Sequence, residues 1–299
     1  MAFPIGVDCS SFDVLTENQL SLYSTSADFY INRIGIVYYR RGWSLDKTAI
    51  PRLKFLKQLR PDMVLGAYFL PHGQILRGLG DPLTLDISKH PYMRSLYDAL
   101  NQVNLDYLFC DIEEHTVTES NEAEARTATL DFLVKIADGM RKGYIPPMKI
   151  GIYSRATWVK SFPSISKLIE QDANLHIWSA TWARGNIMWL DSIQSLRTLR
   201  PSISPIVFGQ NPNRKKPVTL HQFAGDSGLQ YRFRDFSIGK SVDINVFMGT
   251  LDELYPRTPE KTALGELDEF IERIFEAVSA IKTDELRSKY TQIRRKLGN

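Results

Sequence analysis

Cysteine is scarce: two in 299 residues, Cys9 and Cys110. Two thiols cannot make the disulfide framework of a small secreted domain, and a chain this long can bury a core without one. Histidine is scarce too, at five, and no Cys/His cluster has the spacing of a zinc site. No apolar run is long enough to cross a bilayer, so no membrane partner is expected. The opening MAFPIGVDCSS has neither the basic nor the apolar region of a signal peptide, so export by the usual route is not expected. An excess of one charge is also missing. The 37 Lys and Arg against 34 Asp and Glu leave +3, too little for a nucleic-acid-binding surface and a mild bias towards an anionic partner.

The most informative stretch present is Asp106 to His115, DYLFCDIEEH. Tyr107 to Cys110 is a short apolar run of the kind that forms a strand buried on both faces. Three carboxylates follow in four residues: Asp111, Glu113 and Glu114. Alternation turns Asp111 and Glu113 to one side and Glu114 to the other. Two neighbouring acids raise each other's pKa, so one of them is expected to hold its proton near neutral pH, as a general acid must. A solvated acidic strand end fits the same short pattern, and the rest of the chain has to decide between them. Cys9 and Cys110 adjoin candidate acids, Asp8 and Asp111, and alternation points both thiols away as small buried apolar groups.

Pro4 to Asp8 reads as a first strand ending in an acid. Phe29 to Val37 is a second, with Arg33 in its middle; that charge needs a partner, and the carboxylate cluster is the obvious one. Met63 to Leu70 is a third strand, with Tyr68 near its end, and Tyr107 to Cys110 a fourth. Met148 to Tyr153 is the fifth and Leu175 to Ser179 the sixth, with Trp182 just past it. Ile203 to Phe208 and Val218 to Phe223 are expected as the seventh and eighth, separated by an exposed basic loop, Gly209 to Pro217. Ser241 to Phe247 is a further acid-bearing segment. Helical patterns lie between: a short one at Thr16 to Tyr23, then Thr48 to Leu59 closed by Pro61. Leu83 to Val103 follows, broken or restarted at Pro91, and Ala123 to Met140 follows caps at Thr118 to Asn121.

Strands alternating with helices over most of the chain predict the α/β class, as a (β/α) TIM-like barrel spanning residues 1–256 in one domain. Functional groups in that architecture gather at the C-terminal strand ends. Asp8, Tyr68, Asp111, Glu113 and Tyr153 all fall there, which favours a site over a solvated strand end. From Pro256 the character changes. Residues 257–299 read as an added C-terminal amphipathic helical tail, with apolar positions such as Leu267, Phe270, Ile274, Val278 and Ile281. Packing back on the barrel, self-association and docking to a larger assembly such as a virion all fit that pattern. Arg294-Arg295-Lys296 reads as a solvated face.

Six motifs stand at these strand ends in order: Gly6-Val7-Asp8-Cys9-Ser10-Ser11, Gly66-Ala67-Tyr68-Phe69, Asp111-Ile112-Glu113, Gly151-Ile152-Tyr153-Ser154, Leu220-His221-Gln222-Phe223 and Val242-Asp243-Ile244-Asn245-Val246-Phe247. Over roughly residues 4–255 the series resembles the lysozymes of glycoside hydrolase family 25, the Chalaropsis-type muramidases. The likeness is to that family's G-[IV]-D-[VI]-S, G-x-Y-H-F, D-x-E, G-I-Y-[ST], W-Q-Y and V-D-x-N-x-F, and Arg33 sits where the family often has a basic residue. Phe69 stands in place of the family's His and His221 in place of its Trp, and the span from Trp182 to Leu220 is longer than usual.

The resemblance implies cleavage of the β-1,4 bond between N-acetylmuramic acid and N-acetylglucosamine in peptidoglycan, with no metal or cofactor. It makes Glu113 the general acid. Asp111 beside it would orient the substrate's N-acetyl group or stabilise positive charge, and Asp8 and Asp243 would complete an acidic floor. It also implies retention, through attack by the substrate's own acetamido oxygen. Arg33, Tyr68, Tyr153, Trp178 and Trp182 become candidate sugar-facing side chains, each aromatic being equally suited to the core, and Gln222 a candidate polar contact.

Two other classes stay open. One is a metal-dependent barrel hydrolase holding Mg²⁺ or Ca²⁺ on Asp8, Asp111, Glu113 and Asp243, which a chelator would inactivate. The other is a wall-binding or virion-structural barrel that binds peptidoglycan without releasing reducing ends. A muramidase with no signal peptide needs another route to the wall. The expectation is a phage- or prophage-encoded lysin, kept in the host cytoplasm until holin release or carried on the virion.

Overall fold

A computed structural model of the chain describes residues 3–38, 42–71, 91–113, 133–155, 175–180, 188–192, 194–195, 207–208, 216–225, 231–234 and 243–254. In chain order its strands are β1 (Ile5–Cys9), β2 (Phe29–Tyr38), β3 (Gly42–Leu45), β4 (Val64–Leu70), β5 (Tyr107–Asp111), β6 (Lys149–Arg155), β7 (His176–Ala180), β8 (Met188–Leu190), β9 (Val207–Phe208), β10 (Lys216–Pro217), β11 (Leu220–Ala224), β12 (Tyr231–Phe233) and β13 (Asp243–Phe247). Among the described residues the helices are α1 (Glu17–Ser26), α2 (Ala49–Leu59), α3 (Pro91–Leu100), a helical segment at 133–141 and one last turn at Leu251–Leu254. None of them is long and apolar enough to cross a membrane.

Eight strands form a closed ring in the order β1-β2-β4-β5-β6-β7-β11-β13. The first seven run parallel, and β13 lies antiparallel between β11 and β1. The short β3 pairs antiparallel to the outer part of β2. The barrel is the one expected, with one correction to its staves. Of Ile203 to Phe208 the described part is β9, which pairs with β10 in a separate two-stranded ladder. The seventh and eighth staves are β11 and the acid-bearing β13. A short Val/Phe run looks the same in sequence whether it becomes a stave or a ladder, because only its pairing partners differ.

Side-chain alternation sorts the core into two layers. Inside the ring, Phe29, Ile31, Tyr107, Phe109, Tyr153, Trp178 and Phe247 pack together, with Leu254 of the last helical turn among them. Outside it, Val7, Tyr30, Leu65, Leu108, Ile152 and Ile177 pack with Leu20 and Tyr23 of α1, Leu53 and Leu56 of α2, Leu96 and Leu100 of α3, and Leu133 and Ala137. Cys9 and Cys110 belong to this outer layer, as alternation requires, and burial pushes both thiols well up. The glycines of two site motifs make the inner layer possible. A Cβ on Gly6 would lie 2.3 Å from the Phe29 ring, and one on Gly151 would lie 2.5 Å from Phe109.

The helices start where local chemistry dictates. Thr16 and Gln19 close a reciprocal capping box on α1, each side chain accepting from the other's backbone N–H. The expected break at Pro91 is the first residue of α3, where a missing N–H costs nothing. Residues 83–90, the N-terminal part of the Ala123 to Met140 pattern, Glu114, Gly209 to Lys215 and the tail at 257–299 lie outside the described residues.

Candidate active site

At the C-terminal end of β1, Asp8 lies directly opposite Asp243 of β13. Two amides hold Asp8. Asn245 Nδ2 donates to its Oδ2 at 2.7 Å, and Gln222 Nε2 donates to the same oxygen at 2.9 Å while reaching Asp243 Oδ2 at 3.5 Å. The amide orientations follow from their other partners. The Trp178 indole N–H, which can only donate, gives to Asn245 Oδ1 at 2.7 Å, so the Asn245 NH₂ must face Asp8. The Tyr153 hydroxyl likewise donates to Gln222 Oε1 at 2.9 Å. A buried relay from Trp178 and Tyr153 thus aims two N–H donors at one oxygen of Asp8.

Asp111 ends β5 and is 3% exposed. Pairing with β6 continues one residue further: the Ile112 N–H donates to the Tyr153 carbonyl at 2.9 Å, and the Ser154 hydroxyl donates to the Ile112 carbonyl at 2.7 Å. Glu113, the next residue on the Asp111 side, is therefore held at the mouth, half-buried. Burial first, then the charges of Glu113 and Asp8, push the Asp111 carboxyl well above the usual range; Arg33 and Arg155 oppose this without reversing it. The sequence left open which acid of the pair keeps a proton. The deeper one, Asp111, is where the surroundings drive it.

Tyr68 and Tyr153 converge on the same charges. Burial raises both phenols, and Asp8, Asp111 and Asp243 raise them further, with Glu113 acting on Tyr153 as well. Both stay neutral and able to donate. Their rings lie 6.5 Å apart, with Trp178 4.4 Å from Tyr153 and 5.7 Å from Tyr68. Trp178 is 1% exposed, so it forms the floor under the tyrosines and presents no face to a ligand. Gln222 is buried too, and its amide already serves Tyr153, Asp8 and Asp243. Both are buried against other side chains of the site, where the sequence suggested sugar contacts. Trp182 lies outside the described residues.

Arg33 has a different partner from the one expected. Its guanidinium pairs with Asp46, beyond β3, through Nε at 2.9 Å and Nη2 at 3.2 Å, and Nη2 also donates to Ser11 Oγ at 2.9 Å. A loop acid next to an unadvertised strand leaves no pattern in the sequence that could have named Asp46. Asn245 was within reach, since it lies two residues after Asp243 and alternation puts both on one face. Arg155, two residues after Tyr153 and felt by Asp111, was legible in the same way.

Among the described residues, no group of three or more His, Cys, Asp or Glu side chains is arranged to hold a metal ion. The arrangement is one of acids at graded depths: Asp8 bound by two amides, the buried Asp111 with its carboxyl pushed up, and a half-buried glutamate above it. It suits proton delivery beside a centre where positive charge develops.

No family model matches the sequence, and no curated protein matches it. Solved structures do share the fold. The spore cortex lytic enzyme SleM of Clostridium perfringens superposes with a TM-score of 0.51 at 16% identity, over 85% of this chain and 70% of that one. GHIP of Streptococcus pneumoniae, a glycosyl hydrolase 25 described as a virulence factor participating in host cell invasion, superposes with a TM-score of 0.50 at 14% identity, over 84% of this chain and 91% of that one. At these identities the shared property is the fold: the chain has the irregular eight-stranded barrel of a spore cortex lytic enzyme and of a glycosyl hydrolase 25.

Proposed function

We propose that the chain is a peptidoglycan hydrolase of glycoside hydrolase family 25, cleaving the β-1,4 bond between N-acetylmuramic acid and N-acetylglucosamine with Glu113 as general acid. The observation that carries the reading is the meeting of Asp8, Asp111 and Asp243 around Tyr68 and Tyr153, with Glu113 at the mouth, on a barrel shared with a spore cortex lytic enzyme and a glycosyl hydrolase 25.

The chemistry follows from the depth of each group. Asp111 and Glu113 repel as anions, so the pair retains a proton. Glu113, the outer carboxyl, takes that proton from Asp111 and passes it to the glycosidic oxygen as the bond to the anomeric carbon breaks. The substrate's acetamido oxygen bonds to that carbon from the other face. Asp111, now ionised, faces the positive charge that builds on the sugar and its acetamido group, and Asp8 adds to the negative field. Water then attacks the anomeric carbon, returns a proton to Glu113 and frees the acetamido oxygen, so configuration is retained.

The test is release of reducing ends from purified peptidoglycan, with mass analysis of the fragments, by the parent chain and by Glu113→Gln. The expected result is muramic-acid reducing ends that survive EDTA and disappear in the variant. Activity lost to EDTA would move the assignment to a metal-dependent hydrolase. Binding without release, on walls of several chemotypes, would make the barrel a binding module.

A further inference from the structure

The loop after β1 holds an aromatic ring in the open. Phe12 is 67% exposed and Val14, two residues on, is 82% exposed. A lone exposed apolar residue needs no explanation. This one differs because the loop is braced at nearly every residue. The Ser10 N–H donates to Asp13 Oδ2 at 2.6 Å, the Ser11 N–H to Asp46 Oδ2 at 3.1 Å and the Phe12 N–H to Ser10 Oγ at 3.1 Å. Arg52 donates to the Ser10 carbonyl at 2.8 Å and to the Asp13 carbonyl. The Arg33 guanidinium, locked by Asp46, lies 4.8 Å from the centre of the Phe12 ring. Three buried charged side chains, Arg33, Asp46 and Arg52, thus hold the loop that exposes the Phe12 ring.

The location matters as much as the rigidity. The loop leaves β1 at the acid end, and Phe12 lies four residues after Asp8. Arg33 stands in register with Tyr68 on the neighbouring strand β4. Phe12 is thus at the acid end of the barrel, against the guanidinium of the residue paired with Tyr68. A pyranose ring has an apolar face of C–H groups that packs on aromatic rings, and a ring already ordered loses little entropy when it is covered.

We propose that Phe12 is a sugar-stacking residue of the cleft, taking the apolar face of a pyranose of the glycan chain next to those at the carboxylates. The proposal rests on the glycan reading above. It makes Phe12 a binding residue that acts on substrate affinity, apart from the proton chemistry.

The experiment is calorimetric titration of peptide-free peptidoglycan glycan strands into the Glu113→Gln chain, which cannot consume them, and into the same chain carrying Phe12→Ala or Phe12→Trp. Phe12→Ala is expected to weaken binding by about three- to tenfold, and Phe12→Trp to restore it. Melting temperatures are expected to agree, since the ring is mostly in solvent. Equal affinity of the Phe12→Ala and parent chains would overturn the proposal alone. Failure of the Glu113→Gln parent to bind glycan strands at all would overturn the glycan reading and this proposal with it.

Discussion

Replacing Asn245 by Leu tests the relay that fixes Asp8. Asn245 is fully buried and makes two short hydrogen bonds, both 2.7 Å: it accepts from the Trp178 indole and donates to Asp8. Leucine has nearly the same shape, so the substitution removes bonding and leaves little cavity. The indole N–H then has no acceptor and no water, a cost of about 1–3 kcal/mol, and Asp8 loses a charge-assisted bond worth about 1.5–3 kcal/mol. Burying an alkyl group where an amide had been returns part of this, so a net loss of about 3 kcal/mol is expected. For a chain with a total stability of roughly 5–15 kcal/mol that is a large fraction. Urea unfolding followed by Trp fluorescence would report it as a lower midpoint with an unchanged slope. Asn245→Asp is the companion: it keeps an acceptor for the indole but sets a second carboxylate against Asp8, so its deficit should grow as pH rises. A loss below about 1 kcal/mol for Asn245→Leu, with no pH dependence for Asn245→Asp, would refute the relay.

Asp111→Asn should make the fold less sensitive to pH and, on the proposed function, abolish wall hydrolysis. The carboxyl is raised in the folded chain, so between its ordinary value near about 4 and its folded value the native state holds the extra proton, and stability falls as pH rises through that window. Thermal melts of the two chains from pH 4 upward should therefore diverge, with the Asn variant the more stable at high pH; parallel curves would contradict the assignment. Asp46→Leu leaves Arg33 buried without its carboxylate and should cost about 3–5 kcal/mol by urea titration, most of it regained in Asp46→Leu with Arg33→Met. Gly151→Ala drives a methyl to 2.5 Å from Phe109 and 2.6 Å from the His176 carbonyl. It should cost at least about 1–3 kcal/mol, and Phe109→Leu should relieve it only partly, because the carbonyl belongs to the backbone.

Much of the site was legible because it obeys the strand period. Asp8, Asp111 and Tyr153 could be read off as acids and phenols ending apolar runs, and the barrel turns such ends to one mouth. The same rule gives Asn245 from Asp243. What the sequence could not carry is partnership across long separations. Asp46 meets Arg33 through β3, four residues that show no strand pattern of their own. Trp178 reads as an exposed sugar platform or a floor with equal ease until the tyrosines above it are placed. The direction of β13 was equally hidden, since an antiparallel and a parallel stave have the same alternation, and Ile203 to Phe208 took its place for that reason.

The position of β13 governs when the protein becomes functional during synthesis. The first strand made, β1, finds β2 at once, but its other edge stays unpaired until residues 243–247 have emerged from the ribosome. Closing over that separation is slow, and a nascent barrel meanwhile presents two raw edges for a chaperone or a neighbouring chain to bind. The same strand brings Asp243 and Asn245. Closure of the barrel and completion of the acid network are therefore one event, and a chain interrupted before it should lack both at the same time.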